Sequence, residues 1–262
     1  MIYESAVPVS RERHGNVYVD VGSDYAFSRH VNSVPLMATE FANAALEYPV
    51  VFGETGAVVI PAAVLGLRAD ENLYVGKQGG WQAKYIPAFI RRYPFVFSSS
   101  DEGKTFTLCI DETFPGINQS GRGERLFGAD DKPTSYLGGA LKFLQQYQFE
   151  FQRTKAFCNK LKDLNVLEPI RARLELGSGE RMALAGFAVV NRARLKALSA
   201  ELLAKLVHSD ELECVYSHLL SLGNFARLKE RLDHGTQPSG HDAATGSSGD
   251  AGSERSELHP AR

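Results

Sequence analysis

Two prolines, Pro49 and Pro94, restrict the possible folds of this chain more than any other feature. Each follows a tyrosine in nearly the same phrase, EYPVVF at 47–52 and RYPFVF at 92–97. A proline disfavours the helical conformation of the residue before it, so a helix has to end ahead of each one. The apolar residues that follow are typical of a buried strand. The sequence therefore predicts, twice, a helix that ends at Tyr-Pro and continues as a strand.

The segments around the two phrases predict short helices and hairpins. Helical spacing of apolar residues favours a helix over 33–47, and a second short helix is predicted at 86–93. Apolar runs on either side of turn residues predict hairpins at 49–61, 72–85 and 95–111. We interpret the doubled phrase as a structural repeat, which places both apolar segments, mostly buried, in one sheet.

The arginines of the second phrase have a structural interpretation and a functional one. Arg91 and Arg92 lie in a last helical turn, where the negative end of the helix dipole stabilises a cation. The alternative is a ligand site, which requires Arg92 to be buried and to face a cavity shared with Asp111 or Gln152.

The second half of the chain is predicted to be mostly helical. A long helix over 134–164 carries a wide apolar surface, which indicates that it packs under a sheet. A hairpin with the turn GSG is predicted at 169–191, followed by helices with N-caps at Asn191, Ser199 and Asp210. Hairpins and helices without a βαβα order predict the α+β class. We expect a mixed or antiparallel sheet built from hairpins, packed against the long helix and a C-terminal helical cluster.

Composition divides the chain at residue 235. Residues 235–262 are rich in Gly and Ser and poor in large apolar side chains, so burial cannot offset their ordering entropy and we expect a disordered tail. Residues 1–234 are expected to form a single domain. The tail has four acidic and two basic residues, which accounts for the whole net charge of −2 and leaves the rest neutral. A neutral body without a basic stripe argues against nucleic-acid binding.

The cysteines and the N-terminus predict a soluble protein of a reducing compartment. The three cysteines form no CxxC pair, which favours buried free thiols over a zinc site. No histidine spacing and no Gly-rich loop suits a metal or a phosphate cofactor, so we expect neither. The sequence shows no secretory signal and no apolar run of transmembrane length, which predicts a cytoplasmic location and no membrane span.

Three polar residues are candidates for acid–base or metal chemistry. Asp111 and Glu112 end a predicted strand, where adjacent carboxylates can bind a hard cation or act as acid and base. Successive strand residues point to opposite faces, however, so the two act together only beyond the end of the strand. His218 lies on an apolar helix without a second histidine at i+4, which favours a hydrogen-bonded core residue over a ligand.

A second group of residues suits the binding of a polar ligand. Trp81 and Tyr85 offer aromatic faces on which a sugar can stack, and Arg92 offers a cation. Gln152 and Arg153 on the long helix can line a groove for such a ligand. The same two residues are typical of the solvated edge of a helix, which is the interpretation we favour.

In their order along the chain, several phrases resemble the bacterial SapC family. They are VPLMATEFANAALEYPVVF, YIPAFIRRYPFVF, LCIDE, FLQQYQFEFQRTKAFC and LAGFAVVNRARLKAL, and the resemblance spans 3–232. The family takes its name from a protein associated with the paracrystalline surface layer, so the resemblance implies a link to that layer or to another envelope system. It supplies no catalytic residues. The membrane permease with the same label is unrelated, and the lack of an apolar span argues against it.

Three functional hypotheses follow. The resemblance implies a non-catalytic accessory protein whose partner is another envelope or surface-system protein. The alternative is a binding protein or enzyme for a polar small molecule, a sugar or a peptide, with a pocket between the sheet and the 134–164 helix. A third is a cytoplasmic interaction module that uses its hairpins. Because no motif defines a reaction, we favour a protein without enzymatic activity.

Overall fold

The computed structural model describes residues 2–56, 58–100, 105–170, 172–177 and 179–235. In chain order the strands are β1 (Ala6–Pro8), β2 (Tyr18–Val19), β3 (Ser33–Pro35), β4 (Val50–Thr55), β5 (Val58–Val64), β6 (Phe95–Ser100), β7 (Thr105–Asp111), β8 (Ile117–Asn118), β9 (Glu124–Arg125), β10 (Leu167–Pro169), β11 (Ala172–Glu175), β12 (Arg181–Leu184) and β13 (Phe187–Val190). The helices are α1 (Arg11–His14), α2 (Phe41–Ala44), α3 (Ala88–Arg91), α4 (Ser135–Asp163), α5 (Arg192–Lys196), α6 (Ala200–His208), α7 (Glu211–Ser221) and α8 (Asn224–Gly235). Nearly all of the predicted tail, 235–262, lies outside the described residues.

Strand pairing in the described part of the chain is antiparallel throughout. One sheet has five strands in the order β10-β13-β4-β5-β3, two have three strands, β1-β7-β6 and β8-β2-β9, and β11 pairs with β12. With the long helix α4, predicted at 134–164, and the cluster of helices at the C-terminus, the α+β prediction is confirmed.

The predicted hairpins are confirmed in three of the four cases. β4 pairs with β5 and β6 with β7, as predicted for 49–61 and 95–111, although the loop 101–104 lies outside the described residues. The hairpin predicted at 169–191 also forms, in two sections: β11 pairs with β12 next to the turn, and β10 pairs with β13 farther out, with Pro169 opposite Ala188. β13 pairs with β4 on its other side, which joins the hairpin to the five-stranded sheet. At 72–85 only a bridge between Val75 and Trp81 forms.

The two Tyr-Pro phrases do not lie in one sheet, so the repeat prediction is wrong. β4 is the central strand of the five-stranded sheet, whereas β6 is an edge strand of the sheet that contains β1. Residues 50–52 are fully buried and Phe95 is buried, but Val96 and Phe97 are only half-buried. An edge strand has a neighbour on one side only, which leaves more of its surface in contact with solvent.

The helix predicted over 33–47 is mostly absent. Residues 33–35 form β3, which pairs with β5 at the edge of the five-stranded sheet. A 3-10 turn, Ala38–Glu40, follows and leads into the short helix α2. The edge of β5 offers backbone hydrogen bonds to residues 33–35, and the spacing of apolar residues along the chain gives no information about such a distant partner. The free energy of this strand pairing exceeds the local preference for a helix.

Helices α4 and α7 cover the same face of the five-stranded sheet. The centre of the Phe52 ring in β4 lies 6.5 Å from that of Phe157 in α4 and 4.9 Å from that of His218 in α7. Both helices therefore meet over one buried side chain of the central strand. No helix in the described part of the chain combines the length and the apolar composition that crossing a bilayer requires.

Two of the three predicted N-caps are confirmed. The side chains of Asn191 and Ser199 accept hydrogen bonds from the backbone N–H groups of Arg194 and Leu202. Asp210 precedes α7 in a left-handed conformation, with φ of 58°, and its side chain makes no capping hydrogen bond. The prediction that the Asp210 side chain caps α7 is therefore wrong.

Candidate functional site

The end of α3 places an arginine among three aromatic rings. α3 begins after Pro87 and is followed by Arg92 as its C-cap. The central carbon of the Arg92 guanidinium group lies 4.2 Å from the ring centre of Phe89, 4.8 Å from that of Tyr147 and 5.6 Å from that of Tyr3. All three distances are within the range of cation–π attraction, so the rings hold the charged group in place.

The charge of Arg92 has no anionic partner among the described residues. None of their carboxylates forms an ion pair with it, and its Nε is buried without a hydrogen-bond acceptor. Burial raises the pKa of the neighbouring Tyr3 to about 12, against the opposing effect of the Arg92 charge. A guanidinium group stays charged at ordinary pH, and a buried N–H without an acceptor costs about 1–3 kcal/mol. Arg92 is therefore in a position to bind an acceptor from outside this part of the chain.

A groove of about 320 Å³ lies beside Arg92, between α4 and the start of β6. Arg91 also lines the groove, with the central carbon of its guanidinium group 5.3 Å from the ring centre of Phe143. Tyr136, Gly139 and Phe143 share one face of α4 and line the groove. The groove thus combines two arginine side chains with a largely apolar wall along the helix.

Asp111 lies outside this groove and holds the N-terminal segment against β7. Its fully buried carboxylate accepts the N–H groups of Glu4 and Ser5, at 2.8 and 3.0 Å, and both the N–H and the hydroxyl of Thr113. Burial opposes ionisation, but these donors together keep the pKa of Asp111 below its ordinary value. The geometry is that of a structural carboxylate.

Glu112, next to Asp111, has different partners. It forms an ion pair with Arg13, and its Oε1 lies 3.2 Å from Nε2 of the buried His14. The hydrogen bond from Arg13 lowers the pKa of Glu112. The two adjacent carboxylates are not brought to a common site, as the alternation of side chains along a strand predicts. Within the described residues, no group of three or more His, Cys, Asp and Glu side chains is arranged to hold a metal ion.

His218 is a fully buried residue that bridges two strands. Its Nδ1 lies 2.7 Å from the carbonyl oxygen of Val50 in β4, and its Nε2 accepts the N–H of Val190 in β13 at 3.0 Å. β13 and β4 pair with Ala188 opposite Phe52, so the same register would place Val190 opposite Val50. The imidazole therefore replaces the direct hydrogen bond that the Val190 N–H and the Val50 carbonyl would form with each other in a regular ladder. Burial lowers the pKa of His218 to about 4, so the ring is neutral at ordinary pH.

Trp81 and Tyr85 belong to a hydrogen-bonded aromatic cluster and do not line the groove beside Arg92. The Trp81 Nε1 donates to the hydroxyl of Tyr48 at 2.9 Å, and its ring stacks on Tyr74. The Tyr85 hydroxyl donates to the buried carboxylate of Glu40 at 2.6 Å. The indole N–H and the phenol O–H that would recognise a sugar are therefore already used within the protein.

Gln152 and Arg153 are exposed on α4, away from Arg92. Arg153 pairs with Glu150 at 3.4 Å and lines a second groove of about 370 Å³ between α4 and the start of α7. The ligand site considered from the sequence required Arg92 to be buried and to face a cavity shared with Asp111 or Gln152. Arg92 is instead half-buried, and neither of those residues lines its groove, so this requirement is not met. Arg92 is distinguished by a combination: its charge has no ion pair among the described residues, its Nε is buried without an acceptor, and three aromatic rings surround its guanidinium group.

Sequence reasoning missed most of the aromatic residues that contact Arg91 and Arg92. Phe89 lies in the same run of aromatic and basic residues, and Phe143 and Tyr147 share a face of α4 at spacing i, i+4. The aromatic run around Phe89 and the i, i+4 spacing on α4 are sequence patterns from which these contacts could have been predicted. Tyr3 belongs to no such pattern, because it reaches Arg92 only through the pairing of β1 with β7.

Comparison with known proteins gives one positive result. A model of the SapC family matches residues 9–228 of the chain. No curated protein and no solved structure matches it.

Proposed function

This chain belongs to the SapC family, and from that premise we propose that it is a non-catalytic accessory protein of a bacterial surface-layer or envelope system that works by binding an anionic group at Arg92. The first part rests on the family resemblance. The second rests on one observation, a guanidinium group held by three aromatic rings without an anionic partner among the described residues. The arginine groove, defined by Arg91, Arg92 and the α4 residues Tyr136, Gly139 and Phe143, is the proposed binding site.

The chemistry of the arginine groove supports binding rather than a reaction. Guanidinium N–H groups lie in a plane and match the two oxygens of a carboxylate or phosphate. The other titratable groups among the described lining residues are Tyr93 and Tyr136, whose pKa values burial raises to about 12. At neutral pH they are protonated donors, and neither can act as a general base.

The proposal predicts stabilisation by small anions that depends on Arg92. Acetate, benzoate, octanoate and inorganic phosphate would be compared at constant ionic strength by thermal unfolding. An anion at about 100 times its Kd adds about 2.7 kcal/mol to the free energy of unfolding. We expect at least one anion to raise the Tm of the natural chain and to have no effect on the Arg92→Gln variant.

The matched control is Arg153→Gln, which removes an arginine of α4 that lies outside the arginine groove. Its response to each anion should equal that of the natural chain, with every variant compared with its own ligand-free Tm. If no anion stabilises the natural chain, or if Arg92→Gln responds as strongly, the anion-binding function is wrong.

The link to a surface-layer or envelope system has a separate test. The sequence favours a cytoplasmic location, and the resemblance implies contact with an envelope component. We therefore expect the intact chain, probed in cells that express it naturally, to be recovered in part with the envelope fraction and to be released by high salt. Recovery in the cytosol alone would contradict the envelope role.

A further inference from the structure

We propose that the ligand of the arginine groove is a carboxylate carried on an aliphatic chain. This inference rests on the proposed function and adds the chemical class of the ligand. Beyond the arginines and two tyrosines, the described residues that line the groove are apolar or glycine: Val21, Phe95, Gly139, Ala140, Phe143 and Leu144. The groove therefore combines two cationic side chains with an apolar wall, which is complementary to an amphipathic anion.

The scarcity of polar groups separates this ligand from a sugar or a peptide. Apart from the arginines, the side-chain donors on the described wall are the hydroxyls of Tyr93 and Tyr136. The Tyr93 hydroxyl is already directed at Asp111, at 3.5 Å. A sugar or a peptide backbone would bury several donors and acceptors there without partners, whereas an aliphatic chain has none to satisfy.

The wall formed by α4 leaves room for the chain. Apart from its chain neighbours and the backbone of its own helix, no atom lies within 4 Å of the position that a Cβ would occupy on Gly139, so the glycine leaves open space beside Phe143. A volume of about 320 Å³ is at the lower end of the range for small-molecule pockets, which suits a short chain. Gly138, one residue earlier, also has open space at its Cβ position but lines a different, apolar groove with Leu137 and Leu141.

The experiment compares straight-chain carboxylates from acetate to octanoate by titration calorimetry, at concentrations below micelle formation. Burying one methylene group strengthens binding by about fourfold, so Kd should fall by about that factor per carbon until the groove is full. Gly139→Leu should keep the affinity for acetate and lose the gain with chain length. Gly138→Leu is the matched control, since it adds the same side chain to the same helix outside the groove, and it should behave like the natural chain.

The outcomes separate this inference from the proposed function. If acetate and octanoate bind equally well in an Arg92-dependent manner, anion binding stands and the aliphatic ligand is wrong. Unchanged octanoate affinity in Gly139→Leu, or tighter binding of a sugar acid or a short peptide than of octanoate, would also overturn it. Loss of all Arg92-dependent binding would instead overturn the proposed function, and this inference with it.

Discussion

Replacing His218 with alanine is expected to lower the free energy of unfolding by about 3–5 kcal/mol, measured by denaturant unfolding at pH 7. The substitution leaves a cavity beneath the central sheet and removes the group that bridges the Val50 carbonyl and the Val190 N–H. The Val190 N–H would then be buried without a partner at the point where β4 and β13 separate, and the Val50 carbonyl would keep only a long hydrogen bond from the Ser221 hydroxyl, at 3.5 Å. An unpaired donor, a weakened acceptor and a cavity together give the expected magnitude.

The same geometry predicts how stability depends on pH. The bridge requires a neutral imidazole, with Nδ1 as donor to Val50 and Nε2 as acceptor from Val190, and burial lowers the pKa of His218 from 6.5 to about 4. Below pH 6.5 the unfolded chain takes up a proton that the folded protein does not. The contribution of His218 is therefore fully present above pH 6.5 and is lost between pH 6.5 and 4, up to about 3 kcal/mol.

The control for the His218 prediction is His218→Gln, whose amide keeps one donor and one acceptor but does not titrate. It should cost less than the alanine variant and should flatten the stability profile between pH 4 and 6.5 relative to the natural chain. A cost below about 1 kcal/mol for His218→Ala, or an unchanged pH profile in His218→Gln, would show that the bridge contributes little.

Truncating Phe52 to alanine is expected to cost about 3–5 kcal/mol, because a fully buried aromatic side chain is lost from the centre of the core. The centre of its ring lies 6.4 Å from that of Phe41 in α2 and 6.5 Å from that of Phe157 in α4, so the side chain is enclosed between β4 and these two helices. The gap cannot be filled from solvent. Urea unfolding with a two-state fit would measure the change.

Phe97→Ala is the matched control for Phe52, since both residues occupy the same place in the doubled phrase. Phe97 is half-buried on the edge strand β6, where its ring contacts the exposed Phe106, so its removal should cost about 1 to 2 kcal/mol. Equal costs for the two variants would mean that the two strands are equally buried in solution.

The candidate site could be predicted from the sequence only in part. The sequence identifies Arg92 as a candidate, because two adjacent arginines within a run of aromatic residues can bind an anionic or polar ligand. Whether its charge is paired depends on carboxylates far away in the chain, and Asp111 turns out to be satisfied by Glu4, Ser5 and Thr113 instead. Hydrogen-bond partners of this kind come from the tertiary structure, and no local pattern reports them.

The fold shows the same division at particular elements. The long helix α4 follows from the spacing of its apolar residues, which involves residues within a turn or two of each other. The segment 33–35 has helical spacing, yet it is a strand because the edge of β5 is free to pair with it. Local preference amounts to a few tenths of a kcal/mol per residue, and strand pairing over several hydrogen bonds exceeds it.

By itself, the sequence determined that a helix ends ahead of Pro49 and of Pro94, where the hairpins β4–β5 and β6–β7 form, and that α4 is long, because these features depend on neighbours along the chain. Only the tertiary structure decided that β4 and β6 lie in different sheets and that Tyr3, Phe89 and Tyr147 surround one arginine. Those outcomes depend on which distant segments pair and pack best. The free energy of the whole fold decides which of these pairings forms. A short stretch of sequence contains only one of the segments involved, so it cannot predict the result.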